Sequence, residues 1–129
     1  MNQETAITLR VEPSFDDHLE VFVEIQAAGG EGRLTVIREG FRDPRKVKCR
    51  LSGKDADHIR RLLDGLCISG VSPAMMGLDG TTYSLRVNSY PVMLELAWWV
   101  SPPTSWVGVT ALVDALRALA GECTDITDR

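Results

Sequence analysis

Lys46-Val47-Lys48-Cys49-Arg50-Leu51-Ser52-Gly53-Lys54-Asp55-Ala56-Asp57-His58-Ile59-Arg60-Arg61-Leu62-Leu63-Asp64-Gly65-Leu66 changes its hydrophobic period in the middle. Up to Leu51, Val47, Cys49 and Leu51 alternate with Lys46, Lys48 and Arg50, the period of a strand with one wet face. Beyond Ser52, the residues Ile59, Leu62, Leu63 and Leu66 recur at helical spacing, and His58, Arg60, Arg61 and Asp64 fill the rest of the cylinder. Ser52-Gly53-Lys54-Asp55 at the junction has capping-box spacing, with aspartate in place of glutamate. Gly65 lowers the helix propensity near the end, and Gly70 and Pro73 close the region. A chain that runs strand into helix across one Ser-Gly step, with more strands on both sides, is α+β.

On the N-terminal side the alternation repeats three times. Ile7, Leu9 and Val11 alternate with Thr8, Arg10 and Glu12 until Pro13 and Ser14-Phe15-Asp16-Asp17 interrupt. Leu19, Val21, Val23 and Ile25 then point inward, and Glu20, Phe22, Glu24 and Gln26 outward. Ala28-Gly29-Gly30-Glu31-Gly32 reads as a turn, Leu34 to Arg38 as a third strand, and Gly40-Phe41-Arg42-Asp43-Pro44 as the turn before the fourth. Short links favour antiparallel neighbours, so this half predicts a four-strand meander.

On the C-terminal side Asp79-Gly80 is a hairpin signal, Tyr83, Leu85 and Val87 face one way, and Asn88-Ser89-Tyr90-Pro91 turns the chain. Val92, Leu94, Leu96 and Trp98 then share one strand face, and Met93, Glu95, Ala97 and Trp99 the other. Pro102-Pro103 ends that strand. The last helix carries Val109, Leu112, Val113, Leu116 and Leu119 as its stripe, with Thr104 or Ser105 as the expected cap and Gly121 as the expected stop. The sequence thus predicts one α+β domain over residues 1–121, a largely antiparallel sheet with two helices on one face, and a polar tail over 122–129.

At 129 residues, 44% hydrophobic and 25% charged, the chain suits a single globular core. Its apolar runs are too short for a membrane-spanning helix, and Met1-Asn2-Gln3-Glu4-Thr5 lacks the features of a signal peptide, so the expected address is cytoplasmic. Cys49, Cys67 and Cys123 have neither C-x-x-C nor zinc-ligand spacing, and they read as buried reduced thiols. No metal or other cofactor is implied.

Catalytic signatures are missing. There is no H-E-x-x-H, G-x-S-x-G, Walker or dinucleotide motif, and His18 and His58 both read as surface residues. Asp16/Asp17 read as a turn and Asp55/Asp57 as a helix start; a hydrolase whose acid pair forms only in the fold is the remaining enzymatic alternative. From Arg38 to Arg61 nine basic residues face four acidic ones, a band of +5 within a chain of net charge −4. Nucleic acid is a poor fit, because the chain is acidic overall and Phe41 is the one aromatic near the cations.

All three tryptophans lie in Trp98-Trp99-Val100-Ser101-Pro102-Pro103-Thr104-Ser105-Trp106. Adjacent strand residues face opposite sides, so Trp98 is expected in the core and Trp99 is the exception, covered by another element or exposed. Together with Asp79-Gly80-Thr81-Thr82-Tyr83, this block resembles small, largely uncharacterised bacterial proteins carrying D-G-T-x-Y and W-W-x-x-P-P-x-x-W. The resemblance covers residues 75–119 and implies an immunity-type protein of a bacterial toxin system, carrying over no functional residue. From the residues themselves, an outward Phe22 flanked by Glu20 and Glu24, with Asp16 and Asp17 close by and Trp99 as a further anchor, has the composition of a protein-binding patch. The expected function is therefore a non-catalytic protein-binding domain, an immunity-type inhibitor whose acidic face meets a basic toxin domain. A structural or adaptor subunit that self-associates through a sheet edge is the other non-enzymatic reading.

Overall fold

Each alternating segment becomes a strand that pairs antiparallel with its neighbour. The computed structural model describes residues 4–13, 18–26, 29–39, 45–68, 81–89, 92–99, 102 and 105–123. Strands β1 (Glu4–Pro13), β2 (His18–Gln26), β3 (Gly32–Glu39) and β4 (Arg45–Leu51) form the meander, and helix α1 (Gly53–Asp64) follows. Strands β5 (Thr81–Ser89) and β6 (Val92–Trp99) form a hairpin, and helix α2 (Val109–Glu122) comes last. The sheet order is β4-β3-β2-β1-β5-β6, all antiparallel. The hairpin thus docks on the free side of β1, leaving β4 and β6 as the two edges. The turn expected at Asp79-Gly80 lies outside the described residues.

Register makes the core continuous. Val47, Val36, Val21, Leu9, Leu85 and Leu96 stand side by side across all six strands, and every one is buried. Ala56 and Ile59 of α1, and Val109, Leu112, Val113, Leu116 and Ala120 of α2, join the same cluster. Both helices therefore lie on one face, and they run in opposite directions across it.

Helix α1 starts as its capping signal predicts, with the Asp55 backbone N–H donating to Ser52 Oγ at 3.1 Å. Arg60, only 17% exposed, fastens it to the β2–β3 turn by donating to the carbonyls of Gln26 at 2.8 Å and Gly30 at 3.2 Å. Its exit is tied to the entry of α2 by a two-way backbone pair between Cys67 and Val107.

The termini of α2 depart from expectation. Its N-cap is Gly108, not Thr104 or Ser105, and it has no side-chain cap. Gly108 has φ 90°, and an added Cβ would sit 3.0 Å from the Gly65 carbonyl oxygen. The close approach to the end of α1 demands a left-handed residue without a side chain, and that demand outweighs capping. Gly121 does not stop the helix, which continues to Glu122 and is C-capped by buried Cys123.

The cysteine reading is also corrected. Cys49 and Cys123 are joined in a disulfide, with Cα atoms 6.0 Å apart, and Cys67 is an exposed free thiol. Cys49 lies on the helix-facing side of β4, where the end of α2 arrives, a meeting that no sequence-local spacing could reveal. Disulfides persist in oxidising surroundings and are rare in the cytoplasm, a consideration that the expected address, drawn from the N-terminal residues and the short apolar runs, leaves out. No helix among the described residues is long and apolar enough to cross a membrane.

The cross-link spans 74 residues of sequence. Cys123→Ser is expected to lower the unfolding free energy by about 2–4 kcal/mol, with reductant doing the same to the wild-type protein. Equilibrium urea denaturation with and without reductant measures this, and equal stability in both would disprove the constraint. Gly108→Ala is expected to cost a further ~1–2 kcal/mol in the same assay, from forcing a side chain into the left-handed region.

Candidate functional site

The helices cover one face of the sheet, and the side chains at the alternate positions form the other. Across that open face Lys48, Thr35, Phe22, Thr8, Arg86 and Glu95 stand in one row over the six strands. Phe22 is half-buried near the middle of this row, with half-buried Thr35 and Thr8 directly opposite and Ala6 and Ile37 on the diagonals. Small and apolar side chains thus stand on one diagonal of the aromatic ring, and Arg10 and Arg33 on the other.

Charge surrounds this island. Glu20 lies opposite Arg10, with Oε1 3.5 Å from Nε, and Glu24 lies opposite Arg33 at 3.8 Å. Arg33 also reaches Glu4 at 3.8 Å, and Arg10 reaches Glu12 at 3.6 Å. His18 Nδ1 stands 3.9 Å from Glu12, and Arg86 holds Glu95 at 2.6 Å.

Among the described residues, these pairs leave the open face balanced rather than acidic. By register, the open side carries Arg10, Arg33, Lys46, Lys48, Arg50 and Arg86 against Glu4, Glu12, Glu20, Glu24, Glu39 and Glu95. Cations and carboxylates balance. The carboxylates flanking Phe22 are already paired to arginines from the neighbouring strands. Arg10 could be read as outward from the sequence, but its match to Glu20 needs the β1–β2 register, which local pattern does not fix.

Of the residues expected to form the patch, Glu20, Phe22 and Glu24 come together. Trp99 shares their face, half-buried opposite Thr82, but it lies three strands away, about 14 Å across the sheet. Asp16 and Asp17 lie outside the described residues. The basic band does not form one patch either. Lys46, Lys48 and Arg50 line the open side of β4, whereas Lys54, Arg60 and Arg61 belong to α1.

Apart from Trp99, the described part of the aromatic block ties the two layers together. Trp98 is buried, stacked on Tyr83 with ring centroids 5.4 Å apart and met edge-on by Trp106 at 6.4 Å. Arg117 of α2 donates to the Tyr83 hydroxyl at 3.3 Å, so this cluster bonds the helix layer to the sheet.

An open trough of about 490 Å³ lies on the charged side, where Glu4, Glu24, Glu31, Arg33, Lys48 and Arg50 gather. Arg33 there is 73% exposed, and the groups face bulk water across their ion pairs. A second cleft, about 390 Å³, lies between α1 and the sheet and is lined by Ile25, Leu63, Leu66, Val87 and Leu94. Thr5 donates to Ser89 at 3.0 Å on its wall. His58 is exposed on α1, and among the described residues no three His, Cys, Asp or Glu side chains are grouped to hold a metal ion.

No protein-family model, curated protein or solved structure matches the chain.

The cross-strand pairs are solvent-exposed, so each contributes little. A double-mutant cycle on Arg10→Ala and Glu20→Ala is expected to give a coupling of about 0.2–1 kcal/mol that shrinks as salt is added. A coupling above ~2 kcal/mol, or one indifferent to salt, would show that this face is desolvated in the isolated protein.

Proposed function

We propose that the chain is a non-catalytic protein-binding domain that engages its partner through the open face of the sheet, most concretely an immunity-type inhibitor of a bacterial toxin. The observation that carries this reading is Phe22, set between Thr8 and Thr35 with Ala6 and Ile37 on one diagonal and the ion-paired Arg10 and Arg33 on the other, on the face of the sheet that the helices leave uncovered. An apolar centre with a polar rim is the anatomy of a protein interface, and a central aromatic is the residue type that most often anchors one. The titratable side chains also favour binding over catalysis. They are spread along an exposed trough, where water competes for every proton and charge, and acid–base catalysis gains from a site that excludes it.

Because the rim is balanced in charge, the partner need not be basic. Its surface has to present both signs in the pattern that matches Arg10–Glu20 and Arg33–Glu24. The Cys49–Cys123 disulfide favours an oxidising compartment over the cytoplasm as the working location.

Capture from the native host with the tagged chain tests the reading. The wild-type protein is expected to retain one specific protein, a toxin domain in the concrete form of the proposal. Phe22→Ala combined with Glu20→Lys is expected to weaken that complex by roughly 30-fold or more, the loss typical of a central anchor. Unchanged affinity in the folded double variant would remove the open face from the interface.

A further inference from the structure

The two edges of the sheet are built differently. β4 sends Lys46, Lys48 and Arg50 to the open side, so any face-matched pairing of β4 with a second β4 sets like charges opposite. Lysine on an edge strand is a common guard against such pairing. β6 has no guard. Val92 to Trp99 contains no lysine, arginine or proline, and its one charge, Glu95, is already held by Arg86. Among the described residues, no backbone group outside β5 hydrogen-bonds to β6.

Exposed apolar side chains lie on the open side of this edge and in the helix layer next to it. Met93 of β6 is 70% exposed, and Val107 is 57% exposed beside Trp106, which packs against Trp98 of β6. These are the two exposed large hydrophobic residues among those described.

Register identifies the occupant. A two-fold axis normal to the sheet pairs β6 with its own copy antiparallel and keeps both helix layers on the same side. Centred on Glu95, it would set carboxylate against carboxylate. Centred one residue to either side of the Glu95–Leu96 step, at Leu94 or Ala97, it would set Glu95 against Met93 or Trp99. Centred on Leu96, it sets Glu95 opposite Ala97, Met93 opposite Trp99 and Leu94 opposite Trp98, each twice by symmetry. Met93 then covers an aromatic face, a favourable sulfur–aromatic contact, and no like charges stand directly opposite, because the two Glu95 carboxylates lie on a diagonal and each is held by its own Arg86.

We propose that the chain forms a homodimer through β6, a continuous twelve-stranded antiparallel sheet with Leu96 on the two-fold axis. The open faces of both copies stay free, so this dimer is independent of the partner reading above. An edge of eight residues is about 26 Å long and buries less than a standard interface, so dimer and monomer exchange with concentration.

Sedimentation over a dilution series tests it, in a Cys67→Ser background so that the exposed thiol cannot cross-link copies. The expected result is a 14.2 kDa monomer in equilibrium with a species of twice that mass. Ala97 is exposed, so charged substitutions there remain in solvent in the monomer. Ala97→Glu, facing Glu95 of the second copy twice, is expected to weaken the dimer by roughly tenfold, and Ala97→Lys is expected to tighten it. A 14.2 kDa species at every concentration overturns the dimer, and an equal response to Glu and Lys at position 97 overturns the β6 register.

Discussion

Two helices cannot cover both faces of a six-stranded sheet. Six strands at about 4.8 Å spacing make a surface roughly 29 Å wide and about 26 Å along the strands, and two helices laid across it side by side, each about 10 Å thick, cover most of one side. Everything else on the molecule answers to that constraint. The covered side is a continuous apolar row from Val47 on β4 to Leu96 on β6, and the uncovered side has to be stable in water. It achieves this with cross-strand ion pairs and threonines, and only a few aromatic or aliphatic side chains remain there. Phe22 is exceptional against that background, which is why it decides the reading of the face.

The helix layer is fixed at both edges of the sheet. Where α2 begins, Trp106 meets Trp98 of β6, and the Cys67–Val107 pair joins the two helices. Where α2 ends, Cys123 is bonded to Cys49 of β4. α1 is held separately through Arg60 and the carbonyls of the β2–β3 turn. A covalent strap from α2 to an edge strand matters because β4 has a neighbour on one side only, and edge strands are the first to fray. β6 has no equivalent strap, and its exposed side is apolar where that of β4 is cationic. The two edges therefore carry different solutions to one problem, charge and a cross-link at β4, and an unguarded apolar strip at β6.

Much of this was legible in the sequence, wherever a property is local. The α+β class followed from a change of period at Ser52, and the opposite facing of Trp98 and Trp99 followed from the two-residue repeat of a strand. Alternation alone puts Leu9, Val21, Val47 and Leu85 each on the apolar side of its strand, and all four are buried. What stayed hidden depends on where distant segments meet. The disulfide needs α2 to end over β4, and the glycine cap needs α2 to begin against Gly65. The neutral character of the open face needs Arg10 and Arg33 in register with Glu20 and Glu24. Alternation places each carboxylate outward, but strand order and register give it its counter-ion.

That counter-ion changes the physics of recognition. Unpaired carboxylates would attract a basic partner from a distance and speed encounter, with little selectivity among basic surfaces. Paired ones have short-range fields that nearly cancel beyond about a Debye length, so long-range steering is weak. Close to the surface the signs remain distinct, and a partner that displaces water from Phe22 meets alternating guanidinium and carboxylate groups in a fixed pattern. A mismatch there strands a charge without water or counter-ion, a large penalty, whereas a match adds modestly. Discrimination at such a face is therefore stronger than attraction. That behaviour suits a domain that must choose one protein among close relatives more than one that must collect many.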